Sequence, residues 1–212
     1  PAGTVLNTTT LLDMVIYAVT DNNELLAKRP LPAEAAQPAA MVASAAAPAS
    51  AAGAAGACGA DATAIHAVQG ATAASPLLGQ IVTVEGLVVG DFQNVKTQLR
   101  GFFVQEEASD QDADPTTSEG IFVFDNGLKD EVQAGDRVRV RGLVQEFNTM
   151  TELKRLEKAV ICDQNNPLEP AIVTLPEAVN GDLEHYEGML IRLADEMTVA
   201  QTYFLGRYGQ MT

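Results

Sequence analysis

GQIVTVEGLVVGDFQ (residues 79–93) and GDRVRVRGLVQEFN (residues 135–148) are the two stretches of this 212-residue chain whose reading decides its fold. In the first, Val82, Val84, Gly86 and Val88 fall on one face of an extended segment. In the second, Val138, Val140 and Gly142 share a face while Arg137, Arg139 and Arg141 take the other. A period of two is the pattern of a strand with one side in a core. Between them lie GFFVQEE (residues 101–107) and GIFVFDN (residues 120–126), aromatic and β-branched runs bounded by Gly, Asp or Asn.

Working outward, strands are predicted at 80–92, 101–107, 120–125, 135–148 and 150–161, with residues 129–134 bridging the third and fourth as a short helix or loop. The chain is therefore read as mainly β, a five-stranded OB-fold-like Greek-key barrel spanning residues 58–165. An SH3-like or incomplete sandwich module would give a similar strand pattern. Ile65, Val68, Leu77 and Leu78 are placed in its lead-in, and Ser75-Pro76 marks the turn into the first strand.

Upstream, residues 1–30 read as the remnant of another element. An apolar run at 14–19 and a turn signal at 21–23 favour a hairpin, with a short helix as the alternative. That run is too short to span a membrane. Residues 31–57 form an irregular Ala/Pro-rich linker. Alanine favours helix, but Pro32, Pro38 and Pro48 interrupt it and little bulky apolar surface is available to offset the ordering entropy. Residues 166–212 begin as a Pro-bounded crossing and resume strand patterning at Met189, Ile191 and Leu193. They read as a β-rich connecting region, the start of a further β-element.

A net charge of −15 opposes long-range attraction to nucleic acid or anionic membrane. With two His, no Ser/His/Asp arrangement and no phosphate loop, no catalytic site is found within the chain. Cys58 and Cys162 are too far apart for a CxxC motif. They are either two independent thiols or a disulfide tying the entry of the barrel to its exit.

Three groups of residues are candidate sites. Asp110, Asp112 and Asp114 alternate in an acidic loop and, with Glu119, form a candidate weak Ca²⁺ site, although Pro115 and Ile121 stand where an EF-hand has Gly and Glu. The other reading is a solvated acidic loop. For DNA or RNA, Phe103 and Phe122 are candidate stacking residues on the second and third strands, and Lys96, Arg100, Arg137, Arg139 and Arg141 candidate phosphate contacts. The alternative has these rings in the core and the Arg stripe paired with nearby acids. His66 has no Cys, His or acid at metal spacing in the sequence and reads as structural or solvated. Tyr203, Arg207 and Tyr208 are candidates for packing against a following region.

IHAVQG (residues 65–70), SPLLGQIVTVEGLVVGDFQ, GFFVQEE, GIFVF, GDRVRVRGLVQEF, LEHYEGMLIRL and YFLGRYG occur in that order. Together they resemble the OB-fold-like domain of large secreted bacterial endonucleases, the extracellular nucleases of Gram-negative aquatic bacteria related to a wall-associated nuclease of Bacillus. The resemblance spans residues 58–212. Phe204 departs from it, where the motif has a polar residue, and so does Gln210, where an acid is commoner. It implies a secreted chain, extracellular or periplasmic, that is a non-catalytic module of a metal-dependent phosphodiester hydrolase. Its partner would be its own C-terminal catalytic domain of the endonuclease/exonuclease/phosphatase type, using Mg²⁺ or Ca²⁺ held outside these residues. A binding or structural module of an extracellular surface or filament-associated protein is the alternative.

Overall fold

The computed structural model describes residues 55–93, 98–128, 131–176, 178–179 and 181–195, together with the strand Met14–Val15. In chain order the elements are β1 (Met14–Val15), α1 (Ile65–Gln69), β2 (Ile81–Phe92), β3 (Gly101–Gln105), β4 (Gly120–Phe124), β5 (Arg137–Phe147), β6 (Met150–Arg155), β7 (Val160–Asp163), β8 (Ala171–Val173), a 3-10 helix (Asp182–Tyr186) and β9 (Leu190–Leu193). The remainder of the predicted 31–57 linker, the hairpin or helix over 10–30 other than β1, and Tyr203, Arg207 and Tyr208 lie outside the described residues.

Strands β2 to β6 make the expected closed five-stranded barrel. The order runs β2-β3-β4-β6-β5, and β5 returns to pair with β2, the Greek-key circuit of an OB-type barrel. All neighbours are antiparallel except β4 and β6, which run parallel through Phe122 opposite Glu152 and Phe124 opposite Lys154. Closure lies in the seven pairs from Ile81–Leu143 to Leu87–Arg137. The predicted last strand, 150–161, is two strands. β6 follows β5 from Phe147 back to Gly142, the chain bends at residues 156–157, and β7 rejoins β5 at residues 137–139.

Alternation puts Val84, Val88, Phe102, Val104, Ile121, Val123, Val138, Val140 and Leu153 in the interior, all fully buried. Ile65 and Val68 of α1 and Val132 of the β4–β5 connection join this core. Residues 131–136 of that connection form a loop. A register shift at Val88/Gly90 allows Val88 to face inward while Val89 joins a second cluster.

That second cluster sits on the outer face of β3 and β4. Phe103 and Phe122 are 0% and 2% exposed there, under Leu190 of β9 and Leu168 of the crossing. The segment carrying these residues is seated closely. Gln105 Oε1 accepts the Leu190 N–H at 2.9 Å, and the Ser118 hydroxyl donates to the Glu187 carbonyl at 2.6 Å. A Cβ at Gly120 would lie 2.4–2.6 Å from the Gly188–Met189 backbone. Beyond this contact β8 pairs parallel with β9, and β1 pairs antiparallel on the other side, Met14 opposite Ile191.

The lead-in is fixed by Arg139. Its guanidinium donates to the carbonyls of Ala55, Ala60 and Asp61 at 2.5, 2.7 and 2.6 Å and to Glu85 Oε2 at 2.9 Å. Beside it Cys58 and Cys162 form a disulfide, with Cα atoms 5.6 Å apart, closing a loop of sequence separation 104. The disulfide is therefore the arrangement of the two cysteines, tying the barrel's entry to β7.

Two stability predictions follow from these joints. The double substitution of Cys58 and Cys162 by Ser is expected to lower unfolding free energy by about 2–4 kcal/mol, read by urea denaturation. Gly120→Ala is expected to cost about 2–3 kcal/mol, because the methyl meets backbone that has nowhere to move. It should also expose residues 171–195 to limited proteolysis before the barrel is cut.

Candidate functional site

Three elements converge where α1 crosses the barrel mouth. His66 is the second residue of α1, Glu106 follows β3 directly, and Glu119 directly precedes β4. Pairing of β3 with β4 brings the two carboxylates side by side, since Gln105 and Gly120 are opposite one another. α1 is held over them because Ile65 and Val68 enter the core.

His66 Nδ1 lies 2.8 Å from Glu106 Oε2 and 3.3 Å from Glu119 Oε2. Its Nε2 faces Asp112 Oδ2 at 3.7 Å. The second oxygen of each glutamate is held by backbone. Glu106 Oε1 accepts the Ile65 N–H, and Glu119 Oε1 accepts the Asp112 N–H at 3.1 Å. Glu106 and Glu119 are 4% and 6% exposed. Among the described residues this is the one His/Cys/Asp/Glu group whose ligand atoms all lie within 4.8 Å of one another.

Burial, reinforced by the hydrogen bond and charge of Glu106, pushes Glu119 up to about 8; His66 and the Asp112 N–H oppose this. For His66 burial acts against the imidazolium. The hydrogen bond and charge of Glu106, with the charges of Glu119 and Asp112, outweigh it and raise the pKa.

The proposed Ca²⁺ set divides. Asp112 and Glu119 border this cluster, but Asp114 turns away, accepting from the Thr116 N–H and hydroxyl at 2.9 and 2.7 Å. Asp110 accepts from Ser109 at 3.2 Å. The alternating acids do not close into an oxygen cage because Asp112 Oδ1 is itself taken up by the Asp114 N–H at 2.8 Å. The reading of His66 as having no acid beside it also changes: its partners are 40 and 53 residues away along the chain. No local spacing encodes them; the signal available was that Glu106 and Glu119 flank two strands predicted to pair.

The nucleic-acid candidates are dispersed. Phe103 and Phe122 pack on each other, centroids 4.8 Å apart, and neither has a free face for a base. Arg137 pairs with Glu85 at 3.1 Å and Asp163 at 2.6 Å. Arg139 is consumed by the lead-in. Arg141 is half-buried, Arg100 lies 5.6 Å from the Phe124 ring centre, and Lys96 is outside the described residues. A cleft of about 240 Å³ beside β2 and the crossing is lined by Glu106, Glu107 and Glu169 and, among its described residues, by no Lys or Arg.

No protein-family model matches the chain, and the search of curated proteins also returns no match. No described helix is long and apolar enough to cross a membrane.

A second buried acid lies nearby. Glu187 is 3% exposed; its Oε1 accepts the Thr151 N–H at 2.9 Å and its Oε2 is buried without a hydrogen-bond partner. Burial, then the charge of Glu184, pushes it up to about 8. Below the ordinary carboxyl value of 4.5, folded and unfolded chains both hold this proton. As pH rises toward 8 the unfolded chain releases it first, so stability is lost across that window. Glu187→Gln should match the parent near pH 4 and exceed it at pH 8 by about 2–4 kcal/mol in urea unfolding.

Proposed function

We propose that this chain is a non-catalytic OB-type module of a secreted endonuclease, whose work is to hold a catalytic phosphodiesterase domain in place. The observation that carries this reading is the joint between barrel and extension. Leu190, within LEHYEGMLIRL, packs on Phe103 of GFFVQEE and Phe122 of GIFVF. Motifs distant in sequence, which together resemble the nuclease domain, are thus parts of one packed unit. An OB barrel commonly offers this outer surface to a nucleic-acid strand. Here it is spent on seating the connecting region, which suits a spacer better than a substrate platform.

The remaining surface supports the same division of labour. Two of the three arginines in β5 neutralise the chain's own acids, and the cleft beside them is acidic. Counterion release, the main source of affinity for a phosphate backbone, needs unpaired cations. A disulfide fits an oxidising compartment and so supports secretion. Metal-dependent cleavage, with Mg²⁺ or Ca²⁺, is assigned to the partner domain.

The reading is tested in two ways. The sequence encoded after Thr212 should carry a domain with the His, Asp, Asn and Glu motifs of a metal-dependent phosphodiesterase; adhesive repeats there would overturn it in favour of a surface-protein module. Titration of fluorescent single-stranded DNA at low salt should show no saturable binding below tens of micromolar. Tight binding would overturn the spacer role and make the barrel a substrate platform.

A further inference from the structure

We propose that His66, Glu106 and Glu119 form a binding site for one first-row divalent transition cation, of the Zn²⁺ class, that clamps α1 to the mouth of the barrel. The inference holds whichever protein the module serves.

The first argument is a count of donors. Glu106 Oε2 and Glu119 Oε2 both point at His66 Nδ1, which carries at most one hydrogen. With both carboxyls ionised, as a bound cation requires, two buried carboxylate oxygens therefore compete for a single donor. Among the described residues, His66 is also the only ion-pair partner of either glutamate. Buried carboxylates are ordinarily paired or bound to metal. Two negative charges with at most one imidazolium between them leave room for a cation of charge two.

The second argument is preorganisation. In metal sites the ligating carboxylates and the far nitrogen of the ligating imidazole are held by outer partners. Both carboxylates meet that description, and His66 Nε2 has a carboxylate 3.7 Å away. The non-ligating oxygens of Glu106 and Glu119 are tied to the N–H groups of Ile65 and Asp112, while Asp112 carboxylate faces His66 Nε2. Asp112 thus orients Glu119 through its backbone N–H and places its carboxylate near His66 Nε2.

Geometry and ligand type select the metal. Ligand atoms 2.0 Å from a tetrahedral ion stand about 3.3 Å apart. Nδ1 and Glu119 Oε2 are already at 3.3 Å, and Nδ1 and Glu106 Oε2, at 2.8 Å, need only separate slightly. Calcium requires six to eight oxygens at longer distances and does not favour imidazole.

The test uses the tag-free, oxidised chain, freed of metal by chelator and titrated with ZnCl₂ by calorimetry and thermal unfolding. One equivalent is expected to bind, and at a hundredfold excess over Kd to raise Tm by about 5–10 °C. CaCl₂ at the same concentration should give less than a tenth of the occupancy. His66→Ala and Glu119→Gln should each weaken Zn²⁺ binding at least thirtyfold, with His185→Ala, the one other histidine, unchanged. Glu119→Gln also guards against misfolding. Because Gln stands in for the protonated carboxyl that burial favours, it should leave the metal-free protein as stable as the parent or more so, while losing the Zn²⁺ response. No Zn²⁺ response in the parent, a response that survives both substitutions, or equal affinity for Ca²⁺ would overturn the proposal.

Discussion

The pairing of residues 81–87 in β2 with residues 137–143 in β5 converts a twisted sheet into a barrel, and most of the structure depends on it. Closure leaves the strands of the β2 to β6 circuit with no open edge; β7 and the sheet of β1, β9 and β8 lie outside that circuit. It also commits every second side chain of β2 and β5 to one interior. That interior is made largely of Val, Ile and Phe, which suits a chain with few aromatics and no Trp. The cost of closure falls on β5, which must serve β2 along one side and β6 then β7 along the other. Arg139 and the disulfide both act at the β7 end, where β5 has left β6 and the lead-in has to be pinned.

Closure leaves β3 and β4 with an apolar outer face as well as an apolar inner one. Phe102 and Phe103 are adjacent in sequence and therefore point in opposite directions, yet both are fully buried. A two-sided apolar pair of strands needs two covers. The barrel interior supplies one and the segment ending in Leu190 the other. Gly120 makes the second contact possible, since any side chain there would collide with the Gly188–Met189 backbone. Gln105 then fixes the register by accepting the Leu190 N–H. The outer face thus fixes the position of the connecting region, and a base-stacking role for the same rings would require that region to be removed.

The barrel was legible in the sequence because its signal is local. Val82, Val84 and Val88, or Val138 and Val140, announce their faces by alternation alone, and strand ends fall at Gly and Asn. The site was not legible for the opposite reason. Glu106 reads as part of the strand 101–107 and Glu119 as the edge of the acidic loop until β3 and β4 pair, and His66 looks isolated until α1 is laid across them. For Arg139 the structure matches the paired reading: alternation with Val138 and Val140 turns it outward, but residues 55–61 cover it and Glu85 pairs with it. Phe103 and Phe122 match the buried reading, on an outer face that a later segment covers.

These joints handle buried charge in different ways, and the differences predict where the fold is responsive. Arg139 with Glu85, and Arg155 with Asp125, are paired and hydrogen-bonded. Breaking such a pair is costly because it strands the surviving charge, not because the pair itself contributes much stability. Glu187 is buried without a cation and favours its proton, which places the seat of the extension under pH control. The His66, Glu106 and Glu119 group crowds two buried carboxyls against one imidazole, and burial together with Glu106 favours the protonated form of Glu119. The hydrocarbon interior of the barrel has no such dependence. Sensitivity to the medium is therefore concentrated where the barrel meets α1 and the connecting region. Those are the places where the fold can loosen or tighten its outer segments while the barrel stays closed.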